Sequence, residues 1–188
     1  MGQASSMEDS FKEVNEYLSS MDYLFKFSTI GDKGVGKKHM ITMYSSGKPP
    51  DSPETPYFLE FAVKTITHRE KVIKQQLWYM NDSNQSMSFQ AGLHGLVLVY
   101  DVTSPNSFLS FQTVWEPAVK YATSSHNNII VVAAKNDLES VVSEAEAREY
   151  AASIGAAFFC TTIHDPSSIS AVYLHLTDEA MNKSQKSK

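Results

Sequence analysis

The chain has 188 residues, 42% of them hydrophobic, enough for one domain with a buried core and no argument for two. Acidic side chains outnumber basic ones 21 to 16, for a formal net charge of -5, which argues against an extended nucleic-acid surface. The single cysteine, Cys160, excludes an internal disulfide and any multi-cysteine metal site, and it fits a reducing compartment.

Residues 1–20 are polar and predict a flexible extension, with helix-compatible spacing inside EDSFKEVNEYL. The opening MGQASS matches the pattern in which Gly2 is myristoylated after loss of Met1, with Ser6 at the required offset. One such chain anchors a protein only reversibly. A domain over 21–181 follows. YLFKFSTIG reads as a strand that runs directly into the glycine-rich stretch GDKGVGKKHM, and KKHMITMYS has helical apolar spacing. KPPDSPETP, with four prolines in nine residues, ends that helix as an irregular, stiffened loop.

YFLEFAVKTI and KVIKQQLWYM, joined by the polar THRE, predict an antiparallel strand pair. GLVLVYDV is a continuous apolar strand of the buried parallel kind. NSFLSFQTVWEPAVKYA predicts one amphipathic helix bent at its proline, and NIIVVAA a second buried strand. SEAEAREYAASIG predicts a capped helix ended by glycine, AAFFCTT a third strand, and SSISAVYLHLTDEAM the closing helix. Residues 182–188, NKSQKSK, predict a disordered tail. Strands alternating with helices of this length make an α/β sheet covered on both faces. No run approaches the roughly 18 apolar residues that a membrane span needs, so the expectation is a soluble, cytoplasmic chain, peripheral on the cytosolic face of a membrane if Gly2 is acylated.

Gly31, Gly36 and Lys37 follow the G-x-x-x-x-G-K spacing of a phosphate loop, placed between strand and helix. Glycines let the backbone turn its N–H groups around phosphate oxygens, and the helix start adds a favourable field. Gly31, Gly34, Val35, Gly36, Lys37 and Lys38 are therefore candidate nucleotide-binding residues. The residue after the lysine should carry a hydroxyl for magnesium. Lys38 offers no lone pair while protonated and repels the ion, so magnesium coordination is disfavoured. Six scattered histidines at no ligand spacing argue against zinc, and no metal site is predicted.

GDKGVGKKHM, the strand pair ending in LWYM, GLVLVYDVTSPNSF, VVAAKNDL and EAREYAASIGAAFFCTT together resemble the Rab branch of the Ras-like small GTPases, over roughly residues 23–180. The resemblance implies a three-layer phosphate-loop fold, with a six-stranded, mostly parallel sheet, one antiparallel strand and about five helices. It also implies a guanine-nucleotide switch in vesicle traffic. Carried over by position, the family's magnesium-binding threonine falls on Pro56, beside Thr55, and its base-stacking aromatic on Pro49. Tyr79 takes the place of a magnesium-holding carboxylate, Asp82 that of the glycine that senses the third phosphate, and Ser83 that of the water-orienting glutamine, with Gln85 nearby. In the base-reading AKND, Ala134 replaces an asparagine while Lys135 and Asp137 remain; Thr161, Thr162, Ile163 and His164 stand at the last base-contacting element, with Thr162 and Ile163 as candidates. Phe61 and Trp78 match two of the three aromatics on the family's partner surface. The prenylated terminal cysteines of the family have no counterpart in NKSQKSK, and Gly2 acylation is a physical substitute.

These losses predict a catalytically inactive module, a pseudo-GTPase that binds protein partners of a trafficking or signalling pathway, with no catalytic residue and no essential cofactor. One alternative is an atypical small GTPase that binds guanine nucleotide weakly and hydrolyses GTP very slowly or only with partner help, supported by Gly36, Lys37, Lys135 and Asp137. Another is a structural module that holds GDP constitutively without magnesium. Oligomeric state has no signal in the sequence.

Overall fold

The computed structural model describes residues 21–50, 59–80, 92–125 and 127–186. Six strands form one sheet: β1 (Tyr23–Ile30), β2 (Leu59–His68), β3 (Lys71–Met80), β4 (Gly95–Asp101), β5 (Asn128–Ala134) and β6 (Ala157–Cys160), in the order β2-β3-β1-β4-β5-β6. Only the β2–β3 pair is antiparallel, in register from Leu59↔Met80 to His68↔Lys71; every other pairing is parallel. Among the described residues five α-helices accompany it: α1 (Lys37–Ser46), α2 (Pro105–Leu109), α3 (Glu116–Ser124), α4 (Glu144–Ser153) and α5 (Pro166–Lys186). The α/β architecture expected from the sequence is the one observed.

Local chemistry accounts for these elements. β4 and β5 are buried at every residue because helices cover both of their faces, so apolar side chains are needed at every position rather than at alternate ones. The β2–β3 turn has Arg69 at φ 50° and Glu70 at φ 60°, the left-handed pair that matches strand twist in a two-residue hairpin. In α4, the Ser143 side chain accepts from Glu146 N–H, and two glutamates in the first turn favour the positive end of the helix. One face of the sheet packs under α1 and α5, through Phe27, Leu77, Val99, Ile130 and the helical Met40, Ile41, Tyr173 and Leu176. The other packs under α2, α3 and α4, through Leu98, Tyr100, Val131, Phe108, Phe111, Trp115 and Ala147.

Two helix boundaries differ from expectation. The helix predicted over NSFLSFQTVWEPAVKYA is interrupted: α2 passes into a 3-10 turn at Ser110–Gln112, Thr113 leaves helical geometry at φ -125° and ψ -70°, and α3 starts at Glu116. Pro117 then sits in the first turn of a new helix, where its missing N–H costs nothing. At the other end, α5 passes the expected boundary at 181 and continues to Lys186. Ala180 and Met181 remain buried, and Lys183 and Lys186 lie in the last turn, where the helix field favours cations.

A buried polar chain ties the sheet to its two covering helices. The Tyr44 hydroxyl donates to Gln75 Oε1 (2.9 Å), Gln75 Nε2 donates to Thr177 Oγ1 (2.7 Å), and that hydroxyl donates to the Tyr173 carbonyl (2.7 Å). The Tyr173 hydroxyl meets Thr29 Oγ1 at 3.2 Å, and burial pushes its pKa well above the usual phenol value. Gln75 is 0% exposed, so its amide has no access to water. Gln75→Leu strands the Tyr44 hydroxyl on α1 and removes a donor from Thr177 on α5. Equilibrium urea unfolding is expected to show a loss of about 2 kcal/mol with an unchanged slope.

Candidate nucleotide-binding site

Chain direction sets the site. From central β1 the sheet grows towards β3 on one side and β4 on the other, so the loops leaving these carboxyl ends part and open a crevice. The glycine-rich loop fills its floor. A Cβ on Gly31 would lie 2.2 Å from the Val99 carbonyl oxygen, so only hydrogen fits where the loop crosses β4. Gly34 (φ 84°) and Gly36 (φ 107°) take the left-handed geometry that turns successive N–H groups to one side. Gly36 is also the residue that starts α1, with no side chain over the helix end.

Lys37, 1% exposed, reaches back along the loop: its ammonium donates to the carbonyls of Gly31 (2.7 Å) and Asp32 (2.6 Å). Lys38 lies half-buried in the first turn of α1.

The opposite wall comes from the loops after β5 and β6. Lys135 adopts φ 59°, uncommon for a side chain of its size, and its ammonium bonds Asp101 Oδ2 at 2.5 Å. Asp101 ends β4 and also accepts from the Thr103 N–H (2.9 Å) and hydroxyl (2.7 Å). Burial pushes the Asp101 pKa up, but the bonds from Lys135 and Thr103 outweigh it and hold the carboxyl below its usual value. Asp137 accepts from the Thr162 hydroxyl at 2.5 Å, which lowers its pKa, and His164 Nε2 stands 3.7 Å from its other oxygen. The two loops are joined by Asn136 N–H to the Thr161 carbonyl (3.1 Å).

Between these walls lies a cavity of ≈ 300 Å³ lined by Gly34, Val35, Gly36, His39, Met40, Ala134, Lys135, Asp137, Leu138, Thr161, Thr162, Ile163 and Ile169. Of the residues singled out in the sequence, Gly34, Val35, Gly36, Lys135, Asp137, Thr162 and Ile163 thus share one lining; Gly31, Lys37 and Lys38 are outside it, in the loop and helix start that form its floor. Sequence reasoning missed His39, Met40, Leu138 and Ile169 as lining, and Asp101 as the anchor of Lys135. A carboxylate closing an otherwise apolar strand in LVYDVT was the available signal for Asp101.

Other candidates lie elsewhere. Phe61 and Trp78 face each other across β2 and β3 with rings stacked at 4.7 Å, and Phe61 is 60% exposed, so it is not an ordinary core ring. The Tyr79 side chain packs into the core, and Pro49 is exposed outside the cavity lining. Burial raises the Cys160 thiol pKa, in keeping with an unreactive side chain. Gly2, Thr55, Pro56, Asp82, Ser83 and Gln85 lie outside the described residues, and Met1–Ser20 with them. Among the described residues no group of three His, Cys, Asp or Glu is placed to hold a metal ion, and no helix is long and apolar enough to cross a membrane.

A six-stranded sheet with a glycine-rich loop at its switch point defines the class: a phosphate-loop α/β domain. Sequence comparison makes it specific. The Ras family profile matches residues 26–182, and the chain belongs to that family of small GTPases. It is 30% identical over 162 residues to the Ras-related protein RABD2b of Arabidopsis thaliana, an alignment covering 83% of this chain and 80% of that protein. Family membership corrects the expectation of a non-enzymatic pseudo-GTPase, because Ras and Rab relatives are GTPases. The inference of inactivity rested on Lys38, Pro56, Tyr79 and Ser83, of which Pro56 and Ser83 lie outside the described residues. In the described site, the loop, the buried lysine and the Asp137–Thr162 pair are assembled together.

The Asp101–Lys135 pair yields a pH prediction. A carboxyl held below its unfolded value contributes stability above about pH 4 and loses that contribution as pH falls through its folded pKa. Lys135 is 38% exposed, so screening limits the pair to about 1 kcal/mol. Asp101→Asn is expected to lower unfolding free energy by that amount at pH 7, with the gap to wild type closing below pH 4; urea titrations across this range measure it.

Proposed function

We propose that this chain is an atypical small GTPase of the Rab type, which binds guanine nucleotide weakly and hydrolyses GTP slowly, or at a useful rate only with a partner protein. The observation that supports this best is the convergence of the glycine-rich loop, Lys135 and Asp137 on one cavity. In this reading the N–H groups of Gly34, Val35 and Gly36 surround phosphate oxygens, and Lys37 turns from the loop carbonyls to the terminal phosphates. The Lys135 stem lies along the base, its head held by Asp101. Asp137 accepts the two donors on the guanine edge, with Thr162 fixing the carboxylate rotamer.

Weak binding follows from Ala134, which removes an amide tying the base loop to the phosphate loop. Slow turnover follows from Lys38, which offers a magnesium ion repulsion in place of a lone pair. A partner would then complete the charge stabilisation, in keeping with a place in membrane traffic among other proteins. Gly2 is the residue proposed for reversible attachment to the cytosolic face of a membrane; intact mass from native cells should show one myristoyl group there, and an unmodified Gly2 rejects it.

Calorimetric titration of the full chain tests the core of the proposal. GDP should bind one to one with a Kd of about 1 μM or weaker. Lys37→Ala should weaken it at least tenfold, roughly the effect of one charge-assisted contact. Magnesium should change the Kd by less than about twofold, since Lys38 occupies the ligand position. Unassisted GTP turnover should not exceed about 10⁻⁴ s⁻¹. Absence of saturable binding by both GDP and GTP would sink the reading.

A further inference from the structure

The second residue of the glycine-rich loop is an aspartate, and a carboxylate beside a phosphate cradle opposes the ligand the cradle is built for. The structure shows where this charge goes. Asp32 Oδ2 accepts from the Ser110 hydroxyl at 2.6 Å and Asp32 Oδ1 accepts from Trp115 Nε1 at 2.8 Å. Ser110 also lies 3.0 Å from the Asn106 carbonyl, but a hydroxyl has one proton, and the shorter contact to a charged acceptor takes it. Trp115 is 2% exposed and Ser110 is 9% exposed, so both donors act where water competes little.

The interrupted helix makes this arrangement possible. In one continuous α-helix, positions five apart point about 140° from each other and do not meet at a single carboxylate. The 3-10 turn and the non-helical Thr113 bring Ser110 and Trp115 to the same side, and Trp115 N–H donates back to the Ser110 carbonyl at 2.9 Å. The same Asp32 offers its backbone carbonyl to the Lys37 ammonium at 2.6 Å, so whatever fixes Asp32 also fixes the carbonyl that orients Lys37.

We propose that Trp115 and Ser110 are positioning residues for nucleotide binding: by holding both oxygens of Asp32 against the α2–α3 break, they keep a negative charge out of the phosphate cradle and set the loop under Lys37. The proposal rests on the guanine-nucleotide reading of the cavity. Neither residue lines that cavity, and the side chain through which they meet the glycine-rich loop is Asp32.

The test uses the full chain with Trp115→Phe, which keeps a buried ring and deletes the donor, and Trp115→Phe combined with Asp32→Asn, which removes the released charge. Titration with GDP should show affinity about 5- to 10-fold weaker in the single variant and restored to within about twofold of wild type in the double variant. A structural defect alone would not be rescued by neutralising Asp32. Wild-type affinity in Trp115→Phe, or no recovery in the double variant, overturns the proposal. Should Trp115→Phe fail to fold, Ser110→Ala with and without Asp32→Asn gives the same comparison, and either of the same two results overturns the proposal. If wild-type protein binds no GDP, the nucleotide reading falls separately. Hydrogen exchange of amides 31–37 then decides: faster exchange in the variant, with β5 unchanged, keeps the positioning role, and identical exchange rejects it.

Discussion

A buried ammonium governs the architecture around the crevice. Lys37 is enclosed at the start of α1, and a cation there is tolerated only if dipoles surround it. The carbonyls of Gly31 and Asp32 supply them, which requires the loop to curl back over the lysine. That curl depends on Gly31 having no Cβ against the Val99 carbonyl, and on left-handed geometry at Gly34 and Gly36. With its carbonyls turned to the lysine, the loop presents Gly34, Val35 and Gly36 to the cavity on its other side, where the proposed phosphate site lies.

Hydrogen bonding of charged side chains continues outward from that centre. Lys135 is held by Asp101, Asp137 by Thr162, and the Asp32 carboxylate by Ser110 and Trp115. Each pair fixes a side chain that solvent alone would leave among several rotamers. The result is a cavity whose walls are tied together by hydrogen bonds between separate loops.

The Gln75 chain plays the same part for the scaffold. It links α1, which begins at the glycine-rich loop, to α5 through the sheet, so the helix that carries Lys37 is registered against the longest of the described helices. Stacked Tyr44 and Tyr173 rings, 4.5 Å apart, reinforce this joint beside the hydrogen bonds.

The amino-acid order by itself was enough for the strands, their alternation with helices, the hairpin and the glycine-rich loop, because these follow from periodicity, turn chemistry and spacing within a few residues. GLVLVYD and NIIVVAA could only be doubly covered strands, and G-x-x-x-x-G-K could be read without knowing its neighbours. Tertiary structure alone decided what Asp101, Asp32, Ser110 and Trp115 do, since their partners lie 34 to 83 positions away and pair only after the sheet brings separate loops together. It also decided how the broken α2–α3 segment is used: Pro117 disfavours a continuous helix through Thr113, and only the folded chain brings the Asp32 carboxylate to Ser110 and Trp115 across that break. The expectation of inactivity was overturned by family membership, which rests on the whole chain and not on single motif positions.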